Sequence, residues 1–200
     1  MPPTYIRPSS MDALLQTMGS IADAAPTTPF YYYHIPAKTG VDFLMSDFVQ
    51  LADHQINSFR GIKFTHYALD DFQLAMDYVF QTGPRWRLGQ NVNMLFGRDQ
   101  FLLSAVAYGC HGAVGTTYNF NAHLQRFVLD ANFSGDYETA RTAMKATAEF
   151  IKSVIVLESQ INGAYIWKMI AKAVGLKVGR QPDYPTLPQR KRALMLCGTF

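Results

Sequence analysis

Three short runs of β-favouring residues recur along the chain about 30 residues apart, and each is followed by a stretch with helical periodicity. "FYYYHIP" begins at Phe30 and stops at Pro36, "GIKF" spans Gly61 to Phe64, and "NMLFG" spans Asn93 to Gly97. That interval is the length of a strand–helix–strand crossover, which brings the next strand back parallel to the last. A fourth strand of small residues, "GAVG" at 112–115, closes the series. The expected fold class is therefore α/β, with a parallel sheet covered on both faces. Two architectures satisfy this: an open doubly wound sheet, or part of an eight-stranded barrel. Barrel enzymes collect their chemistry at the C-terminal ends of the strands. The polar residues fall there: Tyr33 and His34, Lys63 and Thr65, Asp99, Thr116 and Thr117.

The helices follow from spacing. Ser9 and Ser10 offer N-caps to a helix whose apolar positions are Met11, Leu14, Leu15, Met18 and Ile21, and "APTTP" ends it. Leu44 to Ile56 reads as a second helix, and Leu69, Phe72, Met76, Val79 and Phe80 mark a third that stops at Gly83-Pro84. Phe101 to Tyr108 is a fourth. Beyond the last strand the chain is helical: Leu124, Phe127 and Val128 share a face, Tyr137 to Ile155 carries a long apolar stripe, and Ile161 to Ala173 carries another, closed by Gly175. A proline-rich linker, "GRQPDYPTLPQ", leads to a short basic helix. The methionine and aromatic stripes are core or interface positions.

Composition excludes several classes. In 200 residues, a net charge of +3 is too small to argue for nucleic acid, and the run Arg190, Lys191, Arg192 reads as a solvated helix face. Cys110 and Cys197 make no disulfide framework, so a reducing compartment, the cytoplasm, is expected. "MPPTYIRPSSMD" has no signal-peptide core, and no stretch reaches the roughly 18 apolar residues of a membrane span. The Asn132-Phe133-Ser134 sequon is read as chance. The five histidines show no pair at metal-ligand spacing, so no metal is expected. His66 and His111 read as local hydrogen-bonding residues. "GCHGAVG" is not a dinucleotide fingerprint, because its last glycines lie on a strand rather than opening a helix.

The residue that asks for an explanation is Lys63, placed between Ile62 and Phe64. A lysine at a solvated strand end is one reading. The other is a nucleophilic amine, which must be neutral to attack a carbonyl. Bringing a lysine from its ordinary pKa near 10.4 to roughly 7 takes about 4 to 5 kcal/mol against the charged form. Apolar burial supplies such an effect, and Ile62 and Phe64 suggest it. Among the tyrosines, alternation puts Tyr31 and Tyr33 on one face and Tyr32 on the other; residue type does not separate Tyr31 from Tyr33.

"FYYYHIPAKTG", "GIKFT" and "GCHGAVGTTYN" together resemble the N-acetylneuraminate lyases, in the pyruvate-dependent class I aldolase superfamily that also holds the dihydrodipicolinate synthases. Family motifs appear in order: Tyr-x-Ile-Pro at 33–36, Lys-x-Thr at 63–65, Phe-Gly-x-Asp at 96–99, and a variant of Gly-Ser-Thr-Tyr-Asn at 115–119. The resemblance runs over nearly the whole chain. It implies cleavage of a 2-keto sugar acid, N-acetylneuraminate, to N-acetylmannosamine and pyruvate, with no cofactor. In it Lys63 is the Schiff-base lysine and Tyr33 the proton shuttle. Thr65, Gly97 (through its carbonyl), Asp99, Gln100 and Thr116 bind substrate. The expected assembly is a homo-oligomer, dimer or tetramer. Gln100 stands where the family usually has glutamate and Thr116 where it has serine; both keep a hydrogen-bonding group, but Gln100 loses a negative charge, so the glycerol-tail specificity is open. Lys38 stands where lyases have an apolar residue and the synthases an arginine; a synthase-like keto-acid aldolase is therefore the enzymatic alternative.

The resemblance also implies what portion of the barrel is present. "MPPTYIRP" matches the end of the fourth strand, so residues 1–119 are expected to form strands five to eight, the C-terminal half of a TIM (β/α)8 barrel. Residues 120–200 then form the last barrel helix and a C-terminal helical extension of the same domain. The Gly-x-Thr-Gly-Glu loop that cradles the substrate carboxylate is not matched. Impaired activity is one expectation; a catalytically dead structural or interaction subunit, pairing its open sheet edges with another chain, is the alternative.

Overall fold

The computed structural model describes residues 1–2, 7–81, 92–158, 163–175 and 177. It divides into two compact units, 1–153 and 154–200. The first holds a four-stranded sheet whose strands all run parallel in the order β1-β2-β3-β4: β1 (Phe30–His34), β2 (Phe59–Phe64), β3 (Asn93–Phe96) and β4 (Gly112–Ala113). Strand order follows chain order without reversal, so there is no switch point of the doubly wound kind among the described residues. "GAVG" forms a strand only over its first two residues.

Helices α1 (Met11–Asp23), α2 (Pro36–Thr39), α3 (Met45–Gln55) and α4 (Leu69–Gln81) fall between the first three strands or before them. Ser10 caps α1, its hydroxyl accepting from the Ala13 amide at 3.2 Å; Leu14, Leu15 and Met18 are buried as the spacing predicts, Met11 is half-buried, and Ala22 rather than the exposed Ile21 completes the buried face. Pro36 opens α2, and Gly40 ends it with φ of 66°, in the left-handed region. The cap of α3 comes from elsewhere. Asp71, on α4 and almost wholly buried, accepts from the amides of Met45 (2.8 Å) and Ser46 (2.9 Å). A carboxylate there meets both the unpaired N–H groups and the positive end of the helix dipole.

The expectation of a sheet buried on both faces is corrected by the burial pattern. Tyr32, His34, Ile62, Phe64, Met94 and Phe96 are fully buried, packed into one core with Leu14, Phe48, Phe72 and Met76 from the helices. Their strand neighbours on the opposite face, Tyr31, Tyr33, Lys63, Asn93 and Leu95, are half-buried or exposed. These strands are not continuous apolar runs once tyrosine is counted as amphipathic; they alternate, and helices cover one face.

After β3 a 3-10 turn (Asp99–Phe101) leads into α5 (Leu102–Ala107), and after β4 come α6 (Tyr118–Phe133), kinked at Asn121, and α7 (Tyr137–Glu158). Leu102, Val128 and Met144 make a second, smaller core between them. In the second unit α8 (Gly163–Ala173) buries Ile166 and is followed by Gly175 at φ 84°. The expected helix end at Gly83-Pro84, the proline-rich linker, the basic terminal helix and Cys197 lie outside the described residues. Among the described residues no helix is long and apolar enough to cross a membrane.

Candidate active site

The parallel register decides which side chains meet. Tyr33 pairs with Lys63, and Lys63 with Leu95, so all three project from the half-exposed face at one level. The Lys63 amine lies over the Tyr33 ring, 4.2 Å from its centroid. Tyr31 shares that face but pairs with Gly61, one step toward the N-terminal end, and its hydroxyl takes a 2.7 Å hydrogen bond from the Asn93 amide. Register thus separates two tyrosines that residue type could not.

Ile62 and Phe64 do not enclose the amine. Both are fully buried on the other face, under the helices, because successive side chains of a strand point to opposite sides. The surroundings of Lys63 are instead Tyr33, Thr65 and Gly97. A Cβ at Gly97 would fall on the Thr65 hydroxyl and within 3.1 Å of Lys63 Cε, so the bare backbone of Gly97 is what lets the ends of β2 and β3 close together. Thr65 is nearly buried, its amide donating to the His34 carbonyl at 2.8 Å, yet its hydroxyl has no hydrogen-bond partner among the described residues. A buried hydroxyl without a partner costs free energy, and a ligand that supplies one recovers it.

Asp99 is placed differently from a residue that only awaits substrate. It is nearly buried, and its Oδ2 accepts from both the amide (2.9 Å) and the hydroxyl (2.6 Å) of Thr117. Gly115 packs against the same carboxylate with no room for a side chain. Asp99 therefore ties the end of β3 to the start of α6 and shapes the loop that carries Thr116. Thr116 is exposed on that loop, and Gln100 is half-buried on the 3-10 turn after β3. Lys38 is exposed in the last turn of α2.

Among the described residues, several polar groups near the strand ends are buried without the partners that polar groups ordinarily have. Tyr118 follows Thr117, its hydroxyl buried without a partner among the described residues; burial, then Asp99 and Cys110, raise its pKa. Tyr32 is likewise buried with its hydroxyl unpaired, and burial raises its pKa. His34 is fully buried, with neither ring nitrogen hydrogen-bonded among the described residues; its pKa falls to about 4, chiefly by burial and next by His66, against the opposing pull of Asp42 and Asp71. His66 Nδ1 lies 3.9 Å from Asp42 Oδ1. No spacing rule joins these three residues; only the fold does. His111 behaves as the sequence suggested, its Nδ1 accepting from the Met94 amide at 3.1 Å. A cavity of about 440 Å³ lies between α5, β4 and α6, walled by Leu102, Val106, Cys110, Gln125 and Leu129 among others. None of the residues around Lys63 lines it, so it is not where an amine and a phenol would act together.

An amine stacked on a phenol, beside an unpaired hydroxyl and an open glycine, is suited to attack on a carbonyl followed by proton transfer. The chain is 38% identical over 149 residues to the N-acetylneuraminate lyase of Xenopus tropicalis, covering 74% of this chain and 46% of that protein. It spans about half the length of the curated relatives it matches. Among solved structures, the Proteus mirabilis N-acetylneuraminate lyase superposes with a TM-score of 0.77 at 26% identity, covering 97% of this chain and 61% of that one. The Aliivibrio salmonicida N-acetylneuraminate lyase gives 0.76 at 28% identity, covering 96% and 60%. The α/β fold with its parallel sheet matches these neighbours. Residues 1–195 match the Dihydrodipicolinate synthetase family, and the chain belongs to that family.

Proposed function

We propose that the chain carries the Schiff-base half of an aldolase that cleaves N-acetylneuraminate to N-acetylmannosamine and pyruvate. Its four strands are then the fifth to eighth of a (β/α)8 barrel, with the helices after β4 forming the C-terminal segment. The observation that carries this is the Lys63 amine over the Tyr33 ring at 4.2 Å, across paired residues of adjacent strands. The lyase names of the relatives support the sugar acid as substrate.

The chemistry assigns each group a step. Neutral Lys63 Nζ attacks the keto carbon of the substrate, and loss of water leaves a protonated imine. The hydroxyl at the carbon that becomes the aldehyde gives up its proton to the Tyr33 oxygen as the phenol passes its own proton to water, so Tyr33 relays the proton and ends unchanged. The electrons of the breaking carbon–carbon bond flow into the imine and leave an enamine. The enamine takes a proton at carbon, and water hydrolyses the imine to release pyruvate and free the lysine. Thr65 offers its unpaired hydroxyl to the bound keto acid. Gly97 presents backbone at the place where a side chain would block Lys63 and Thr65. Gln100 and Thr116 reach the sugar from the loops beyond β3 and β4, and Asp99 holds the second of those loops in place as well as meeting sugar hydroxyls. The assembly proposed is a cytoplasmic homo-oligomer, dimer or tetramer. Lys38 is the one feature that favours a synthase-like specificity; condensation of pyruvate with an aldehyde other than N-acetylmannosamine distinguishes the two.

Pyruvate with borohydride tests the core of this reading. The folded protein should gain one reduced pyruvate on Lys63, located by peptide mass spectrometry, and Lys63→Ala should gain none. A folded protein that takes up no pyruvate, or takes it up equally after that substitution, overturns the assignment.

A further inference from the structure

We propose that His34, Asp42 and His66 form a binding site for a divalent transition metal ion of the zinc class, on the face of the sheet opposite Lys63. One ligand atom from each lies within 4.8 Å of the others, and the imidazole rings of His34 and His66 stand nearly perpendicular, 88°, with centroids 5.6 Å apart. Two histidines and a carboxylate are a common set for zinc and for neighbouring first-row ions.

Burial argues that something is meant to bind. His34 is the last residue of β1, wholly inaccessible, packed on Tyr32 and Phe64, and neither of its nitrogens has a hydrogen-bond partner among the described residues. A buried imidazole left in that state costs free energy that a metal–nitrogen bond would more than recover. The other two ligands are graded outward: the His66 side chain is 25% exposed and that of Asp42 61%. The site therefore has a dry floor and a wet rim. A tetrahedral ion with bonds of about 2.0–2.2 Å would hold its ligand atoms roughly 3.3–3.5 Å apart, so the cluster must contract by about an ångström. Asp42, exposed after the Gly40 turn, and His66, partly exposed at the rim, have the freedom to supply that movement. The rim leaves the fourth position to water.

The consequence of binding follows from chain position. His34 is next to Tyr33 and His66 next to Thr65, and the Thr65 amide already donates to the His34 carbonyl. An ion on the back of the sheet would clamp together the ends of the two strands that carry the phenol and the amine. It takes no part in the bond-making of the other face, and the inference does not rest on the proposed reaction.

Cobalt(II) is the probe, because its visible absorption reports coordination number. Chelator-stripped, untagged protein titrated with Co²⁺ should bind one equivalent, with an intense visible band of a four- or five-coordinate ion, and Zn²⁺ should bleach it. Asp42→Asn and His66→Asn, both on the rim, should remain folded and lose at least about tenfold in affinity. His34→Gln should abolish the band if it folds. The Lys63→Ala variant should bind cobalt as the parent does, which separates this site from the aldolase reading. Folded protein that shows no such band, or Asp42→Asn and His66→Asn variants that bind with parental affinity and spectrum, overturn the proposal.

Discussion

Gly97→Ala tests the site through one methyl group. The glycine does not have a positive φ, so alanine meets no backbone penalty there; the effect is one of space. The added Cβ would overlap the Thr65 hydroxyl and approach Lys63 Cε to 3.1 Å. Carbon and oxygen rest at roughly 3.4–4 Å, so the Thr65 hydroxyl must retreat by about 1.5 Å or more and the lysine stem by a few tenths. Overpacking of this kind costs about 1–3 kcal/mol of stability. A misplacement of that size in a group that holds the keto acid, as Thr65 does in the proposed site, costs up to about 10²-fold in rate, equivalent to roughly 2.7 kcal/mol. The assay is the rate of borohydride-trapped pyruvate on Lys63, read beside the urea midpoint. Gly112→Ala is the control, since its Cβ would meet only Leu95 Cδ2 at 3.4 Å, an ordinary contact. Expected is a trapping rate lowered about 10²-fold in Gly97→Ala and nearly unchanged in Gly112→Ala. If Gly97→Ala traps pyruvate at the parental rate, the close approach of Thr65, Gly97 and Lys63 does not govern imine formation.

Three further outcomes are expected. Tyr33→Phe should keep the pyruvate adduct but slow carbon–carbon cleavage by about 10²-fold or more, measured as pyruvate release from N-acetylneuraminate; unchanged turnover would remove the phenol from the proton path. Asp71→Ala should cost about 3 kcal/mol in urea denaturation, because it strands two amides at the start of α3, whereas Asp71→Asn keeps one acceptor and should cost less. Stability should also fall on acidification, measured in chelator. The pKa of His34 is about 4 in the fold against an ordinary 6.5, so below 6.5 the unfolded chain takes the proton first and stability drops until pH 4, by about 3 kcal/mol. His34→Gln should flatten that part of the pH profile, and an unaltered slope would show that other groups carry it.

What was legible in the sequence was local. The strand positions, the Ser10 cap, the apolar face of α1 and the opposite orientations of Tyr32 and Tyr33 all follow from neighbours a few residues apart, and the structure has them. What was not legible depends on register. Asp71 caps a helix that begins 26 residues earlier in the chain, and no local pattern announces it. Asp99 and Thr117 meet because β3 and β4 pair, which also turns Asp99 from a waiting side chain into a tie between loops. Histidines 34 and 66 look scattered when counted along the chain and become neighbours once Thr65 is bonded to His34 across the sheet. The helix after β3 starts with a 3-10 turn at Asp99, earlier than apolar spacing suggested, because that spacing begins only at Phe101.

The apolar company of Lys63 has a different use from the one its neighbours first suggest. Ile62 and Phe64 face away from the amine, so they cannot desolvate it. They hold its backbone. Each is fully buried and contributes about 1.5–3 kcal/mol by leaving water, and Phe64 adds ring contacts with Phe72 and Phe96. Tyr33 is held in the same way, between Tyr32 and His34. A side chain with four rotatable bonds is aimed only if its Cα is fixed, and strand alternation allows the fixing to be done from behind. The face that reacts can then stay open and polar while the opposite face carries the stability. For the same reason a perturbation on the helix side, whether a lost ring or a bound ion, is transmitted to the amine and the phenol through one residue of backbone.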